Sequence, residues 1–541
     1  MATVRSSLVQ VTARTALVAT MFVHAPIFAQ TQLQAPRLAV ANVLTIGTEG
    51  VQSDSPEEGG NQIGAVSIRG NEAISDDQYQ TVVEGFFGEP VTSEVLERLT
   101  DELAQLARDE GYSYVRATID EDAAALGIVA VAIDEGRIDD VVIEGSPNAQ
   151  ARSMLASLVG RPLKQQELES TLLLVSDIPG VSLRNAKLRR DDGQTVLVVK
   201  LDQQSAEGRV SADNYGTETF GPVRLRGSTR FNGVITASDE IRTSVRINPI
   251  EPDELLFVSA SYQTQVTDSG ITARLSGSLG RTAPGGALGG SDIDGDSVRA
   301  NAQLTVPIKR SKNASVWLDT SAAYISIEQD DLGTMLRDDT LVTAAVGLRT
   351  RFALAGKGFL RAGLTVERGL GILGATRLGE LNASRADGDG VYTKYSFTAD
   401  ARIPIGKRFD AYFAMGGQLA DRPLLGSEEI ALGGAYRVRG YDFAEVLGDE
   451  GIYGLAELRY RVDTGGLPLD FLQLYAFADG GYVSDIDQTG SEGSLYSAGP
   501  GLRGRLGRLD WEVESAFPLG GSGERSDPDG PQINVRTGVR F

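Results

Sequence analysis

The chain has 541 residues, 73 acidic against 51 basic, for a net charge of −22, with one histidine and no cysteine. That balance argues against nucleic acid as a partner, because a phosphate-binding surface needs clustered Lys and Arg. The missing thiols exclude disulfides and thiolate metal sites, and His24 alone cannot build a zinc site.

Residues 1–29 read as a secretory signal peptide. Arg5 and Arg14 precede an apolar stretch over 16–28, and Ala29 is the small residue at the cut. The stretch is short for a membrane span and contains His24 and Pro26. Cleavage removes His24, so the mature chain offers neither Ser-His-Asp nor Cys-His catalysis. The expectation is a non-enzyme with no cofactor and no metal. Residues 30–61 follow as a linker, rich in Gly, Ser and Glu over 53–60.

Two similar units come next, 62–135 and 136–205. In the first, a strand over 65–68 leads to helices over 76–87 and 93–109 and to strands over 113–119 and 128–134. The second helix sets Leu96, Leu99, Leu103 and Leu106 on one stripe and has Gly111 as its C-cap. The second unit repeats the order: a strand over 138–143, helices over 149–159 and 165–175, strands over 181–189 and 195–201. Val66-Ser-Ile68-Arg-Gly70 opens the first unit and Val141-Val-Ile143-Glu-Gly145 the second. Each unit is therefore a β-α-α-β-β module of about 75 residues.

From 206 to 541 helical periodicity gives way to alternation of period two. Over 395–405, Tyr395, Phe397, Ala399, Ala401, Ile403 and Ile405 share one face, with Ser396, Thr398, Asp400 and Arg402 on the other. Over 342–354, the apolar face carries Val346, Leu348 and Phe352, opposite Thr343, Arg349 and Arg351. Short turns (237–239, 267–270, 406–408) alternate with long loops (284–297, 371–391, 427–450, 519–531), the two-rim pattern of an outer-membrane barrel. The strands number roughly sixteen over about 330 residues, an even number as bacterial barrels require. No mature segment holds eighteen consecutive apolar residues. Alternating strands average out near neutral hydropathy, so a hydropathy scan does not register them.

The loop near 430 holds Leu432-Gly-Gly-Ala-Tyr-Arg-Val438-Arg439-Gly440-Tyr441, and counting strands makes it the sixth loop on the long-loop rim. A second pattern, Phe477-Ala-Asp479-Gly-Gly481, falls on the thirteenth barrel strand. In these two motifs, Val-Arg-Gly-Tyr and Phe-x-Asp-x-Gly, the chain resembles the two-partner secretion transporters (the TpsB family), which export haemolysins and adhesins. The resemblance covers nearly the whole mature chain. It implies an all-β transmembrane barrel preceded by two α+β POTRA modules, with the barrel in the outer membrane and the modules in the periplasm. The implied partners are a secreted polypeptide docking on the modules and the outer-membrane lipid. It further implies that the loop folds into the lumen, with Val438, Arg439, Gly440, Tyr441, Phe477, Asp479 and Gly481 forming a latch. Asp479 shares parity with Tyr475 and Phe477, so an inward carboxylate could take the Arg439 guanidinium in a bidentate contact. Some members begin with a helix that plugs the barrel, whereas 31–61 has linker composition.

Other patterns carry less. Gly369-Leu-Gly371-Ile-Leu-Gly374 matches a dinucleotide fingerprint but follows a barrel strand and opens no helix. Asp292-Ile-Asp294-Gly-Asp296 resembles half a calcium loop, but Ser297 stands where an EF-hand needs Gly and Gln303 where it needs Glu. No Walker A pattern is present, so ATP does not drive the process. The rival readings are an assembly factor of the same superfamily, a passive porin and an outer-membrane hydrolase.

Overall fold

The computed structural model describes residues 62–120, 127–191, 193–289, 292–486, 492–521 and 530–541. The signal peptide and linker of the sequence reading lie outside them. The described chain divides into two units, with the boundary along the chain between Gln203 and Gln204.

The N-terminal unit contains two modules of one design. In the first, β1 (Ala65–Arg69) leads to α1 (Asp76–Val83), α2 (Ser93–Asp109), β2 (Arg116–Asp120) and β3 (Ile128–Asp134). The sheet order is β1-β3-β2, with β1 parallel to β3. Thr92 caps α2 by accepting the Val95 amide, and Leu99, Leu103 and Ala107 turn inward against Val129, Val131 and Ile133. The second module has β4 (Asp140–Gly145), α3 (Ala149–Ala156), α4 (Gln165–Ser176), β5 (Val181–Asp191) and β6 (Gln194–Gln203), in the order β4-β6-β5. The glycine that ends each repeated opening has a physical cause. Gly70 and Gly145 have φ of +85° and +86°, and any side chain there would strike the carbonyl of Ile133 or Leu201.

The C-terminal unit is a closed barrel of sixteen antiparallel strands in chain order. It begins with β7 (Ala206–Asp213), β8 (Arg224–Asn232), β9 (Asp239–Ile247), β10 (Leu255–Gln265) and β11 (Thr272–Thr282). Next come β12 (Ile293–Arg310), β13 (Ala314–Asp331), β14 (Thr334–Leu354), β15 (Gly358–Gly369), β16 (Thr393–Ile405) and β17 (Phe409–Ala420). A short hairpin of β18 (Ile430–Leu432) and β19 (Val446–Gly448) lies within the next connection and outside the barrel ladder. The ring continues with β20 (Glu450–Arg461), β21 (Phe471–Ser484), β22 (Glu492–Leu506), β23 (Leu509–Gly521) and β24 (Gln532–Arg540). It closes by pairing β24 with β7, from Arg536↔Asp213 to Arg540↔Arg209.

The alternation assigns the faces. On β16, Tyr395, Ile403 and Ile405 are 48%, 44% and 51% exposed on the outside, while the inward Asp400 is 5% exposed. An arginine on the outer face at mid-bilayer would cost about 2–4 kcal/mol, and the inward parity of Arg349, Arg351 and Arg402 avoids that cost. One rim carries connections of two or three residues at 311–313, 355–357, 406–408 and 507–508; the longest connections, 370–392 and 421–449, leave from the other. One long-rim connection departs from the expectation. β13 and β14 run to 18 and 21 residues and meet at 332–333, well beyond the roughly 9–11 residues that span a bilayer. The alternation read from the sequence covers 342–354, whereas β14 begins at Thr334.

Candidate functional site

The connection 421–449, the sixth on its rim, is a seated element with its own packing. The β18–β19 hairpin brings Ile430, Leu432, Val438 and Tyr441 against the inward Val483 of β21 and Leu495 of β22. Gly433 and Gly434, with φ of +100° and +88°, turn the chain sharply after β18, and the Gly434 amide donates to the Tyr441 carbonyl at 2.9 Å. Gly481 makes room on the wall, since a Cβ there would meet Leu432 at 2.6 Å. Gly440 approaches β22 and β23 closely: its amide donates to Ser497 Oγ at 3.2 Å, and a side chain would meet Pro518 and Ser497 at 3.0 Å. The Tyr441 hydroxyl donates to the Gly520 carbonyl at 2.8 Å.

Arg439 sits at the centre of this arrangement, 5% exposed. Its Nε donates to Asp479 Oδ2 at 2.7 Å, and one terminal nitrogen donates to Glu457 at 2.9 Å and to Glu514 at 3.2 Å. The guanidinium lies 3.5 Å from the Phe477 ring centre, a cation–π contact. Ladder register explains the convergence. Leu455 pairs with Asp479 and Glu457 with Phe477 across β20–β21, Asp479 pairs with Ser497 across β21–β22, and Gly501 with Glu514 across β22–β23. Glu457 and Asp479 are thus diagonal neighbours on the inner face. Gly499 and Gly501 leave the wall bare: a Cβ at 501 would collide with the Tyr475 ring, and one at 499 with the Ser515 carbonyl.

The carboxylates have further partners. Glu457 accepts from Arg459 at 2.7 Å and Arg503 at 3.2 Å, Glu514 accepts from the Tyr475 hydroxyl at 2.8 Å, and Asp479 accepts from Ser497. The sequence reading expects a bidentate Arg439–Asp479 pair. The structure instead spreads one guanidinium over three carboxylates, with a single bond to Asp479. It brings together all seven residues of the proposed latch and adds Glu457, Glu514, Ser497 and Asn534, whose amide donates to the Arg439 carbonyl at 3.3 Å.

A second charged cluster ties the long loops together. Arg385, in the connection 370–392, donates to Glu429 and to Asp449 at 2.7 Å each and to Asp387 at 3.0 Å, with Asp485 at 3.8 Å. Asp449 is fully buried and also accepts the amides of Leu424 at 2.7 Å and Ile486 at 3.0 Å. Burial, together with Asp485 and Asp449, pushes the Glu429 carboxyl up to about 8 against the pull of Arg385. Glu429, Asp449 and Asp485 are close enough to share a metal ion, but the Arg385 guanidinium occupies that place.

Two further expectations concern loops. The Gly369–Gly374 stretch ends β15 and enters the connection 370–392, where the Arg377 guanidinium lies against Gly371. Asp294 and Asp296 belong to β12 and pair in register with Asp330 and Glu328 of β13.

Residues 193–504 match the family model described as haemolysin secretion/activation protein ShlB/FhaC/HecB. The chain belongs to the haemolysin secretion/activation family. Residues 62–136 separately match the POTRA domain of ShlB type. Among curated relatives, the heme/hemopexin transporter protein HuxB of Haemophilus influenzae is 22% identical over 402 residues, 71% of this chain and 69% of that protein. The outer membrane transporter CdiB of Escherichia coli is 24% identical over 443 residues, 78% of this chain and 73% of that protein. A solved structure of CdiB from Escherichia coli superposes with a TM-score of 0.77 at 20% identity, covering 92% of this chain and 93% of that one. Members of the haemolysin secretion/activation family are outer-membrane barrel transporters with N-terminal POTRA domains in the periplasm, and this chain is placed there with them.

Proposed function

We propose that the protein exports one large polypeptide partner, haemolysin- or adhesin-like, from periplasm to cell surface without ATP. The observation that carries this reading is the seating of the sixth loop in the lumen. A loop seated on the inner wall by a charge cluster and an apolar patch suits a gated conduit better than a permanently open channel. Arg439 and Asp479 act in this reading as the latch, with Val438 and Tyr441 as its apolar hold and Phe477, Gly440 and Gly481 shaping the seat.

In the same reading residues 1–29 are a cleaved signal peptide, 30–61 a linker, 62–135 and 136–205 POTRA 1 and POTRA 2, and 206–541 a barrel whose outer face meets outer-membrane lipid. The partner docks unfolded on the modules. Among the described residues β5 pairs only with β6, which leaves its other backbone edge free of strand partners along 11 residues, and an extended chain can add there as a fourth strand. Backbone hydrogen bonds then give affinity with little dependence on sequence. Folding of the partner outside the cell pulls it forward and blocks its return.

Deleting residues 65–134 or 138–201 is expected to abolish export while the barrel still inserts. Secretion of the partner and heat-modifiable migration of the barrel on gels read the two separately. Normal export by either deletion would remove the docking step from the account.

A further inference from the structure

Charge on the lumen wall is segregated. On the arc from β20 to β24 the inward carboxylates are matched: Glu457 with Arg439, Arg459 and Arg503, and Glu512 with Arg503 and Arg536. The arc from β8 to β11 is different. Parity turns Arg226, Arg230, Arg242, Arg246 and Arg274 inward, and the ladder sets Arg226 directly opposite Arg246 and Arg230 directly opposite Arg242. Like charges directly opposite on one face destabilise a sheet. Glu240 offsets the second pair, reaching Arg230 at 3.0 Å and Arg242 at 2.9 Å.

The first pair has no such partner. Among the described residues no carboxylate lies within ion-pairing distance of Arg226, Arg246 or Arg274, and the nearby Asp213 is held by Arg224 at 2.8 Å. Arg246 lies over the Phe257 ring at 5.8 Å, and Arg274 donates to Ser261 Oγ at 3.3 Å. All three are half-buried on the lumen side, with hydroxyl groups between them: Ser228 and Ser244 pair across β8–β9, and Ser244 bonds Ser259 at 2.8 Å. In a chain of net charge −22 this is a local reversal of sign. It presents donors in the forked geometry that fits carboxylates.

We propose that the β8–β11 arc is an anion-receptive track that takes carboxylate-rich, extended segments of the exported chain as they pass. The proposal rests on the export reading and names the chemistry of its substrate. The Arg226–Arg246 pair, with Asp213 and the Tyr436 hydroxyl near it but no carboxylate at ion-pairing distance, is a cost in the resting protein that a passing Asp or Glu side chain relieves. Contacts of this kind, shared with water in a wet lumen, are individually weak. Weak contacts suit a track that must release as well as bind.

The test uses the purified full chain in detergent and fluorescent poly-L-glutamate, read by anisotropy, with poly-L-lysine as the opposite probe. Wild type is expected to bind poly-L-glutamate despite its net negative charge, and salt is expected to weaken binding. R226Q/R246Q/R274Q should bind about tenfold more weakly, and R226K/R246K/R274K, which keeps the charges but not the forked donors, should fall between it and wild type. Should the triple glutamine variant fail to insert, R226Q alone gives the same readout with a smaller loss. Absence of poly-L-glutamate binding to wild type, or equal binding by wild type and the glutamine variants, overturns the track. The export reading is checked independently by secretion in cells. A chain that exports its partner yet is blind to these substitutions refutes the track alone.

Discussion

Replacing Arg439 by alanine is expected to unseat the sixth loop and reduce export of the partner to near background. The side chain is the one cation shared by Asp479, Glu457 and Glu514, and all four groups are almost fully buried. Breaking a buried pair by removing one partner typically costs about 3–5 kcal/mol, because the remaining charge is left without compensation. The three acids do not suffer equally. Glu457 keeps Arg459 and Arg503, and Glu514 keeps Tyr475 and Asn534, but Asp479 keeps only the hydroxyl of Ser497 and, while the loop stays seated, the long contact from the backbone amide of residue 439 at 3.4 Å. Asp479→Ala removes only one of the three anchors of Arg439 and is therefore expected to be milder. Combining it with Arg439→Ala should add little and should recover part of the stability, since the orphaned carboxylate is gone. Thermal or urea unfolding followed by gel mobility supplies the double-mutant cycle. A double variant much worse than Arg439→Ala would mean that the two residues do not share a contact.

The second large effect is expected at Asp449. Its two oxygens hold Arg385 and the amides of Leu424 and Ile486, so one buried carboxylate joins the connections 370–392, 421–449 and 485–491. Asp449→Ala leaves two backbone donors and part of a guanidinium unsatisfied, a loss of about 3 kcal/mol or more. Local opening of that size raises the exposed population roughly a hundredfold. Trypsin added to intact cells should then cleave after Arg385 or Arg377 far faster than in wild type. Asp449→Asn keeps the shape and one acceptor oxygen and should fall between the two. Unchanged cleavage in Asp449→Ala would mean that the loops are held by something other than this cluster.

The barrel was legible because its chemistry is periodic. Alternation over 395–405 fixes which side chains meet lipid, since an inward slip of one residue would turn Asp400 and Arg402 outward. The modules were legible through Leu99 and Leu103 at helical spacing and through the repeated glycine at 70 and 145. Within the site, Arg439 and Asp479 stand out through their motifs, and parity puts Glu512 and Glu514 on the inner face of β23. Parity gives a face, however, and not a register. That Glu457, Asp479 and Glu514 converge on one guanidinium depends on how three ladders are staggered, and on two glycines that bare the wall between them. Glu457 is harder still to read, because Tyr453 and Leu455 share its inward face and make that strand look apolar on both sides. The Arg385 cluster gave no signal, since its members lie in connections with no period to betray them. The alternation over 342–354 stops short of the start of β14 for a related reason: beyond the bilayer nothing requires the outer face to be apolar.

The central claim, that the loop-gated barrel serves one dedicated partner, is tested most directly by comparing the proteomes of medium and outer membrane with and without this gene. The account predicts that one large protein disappears from the medium while the outer membrane keeps its composition. A joint fall of many unrelated barrel proteins would contradict it and would make the protein an assembly factor.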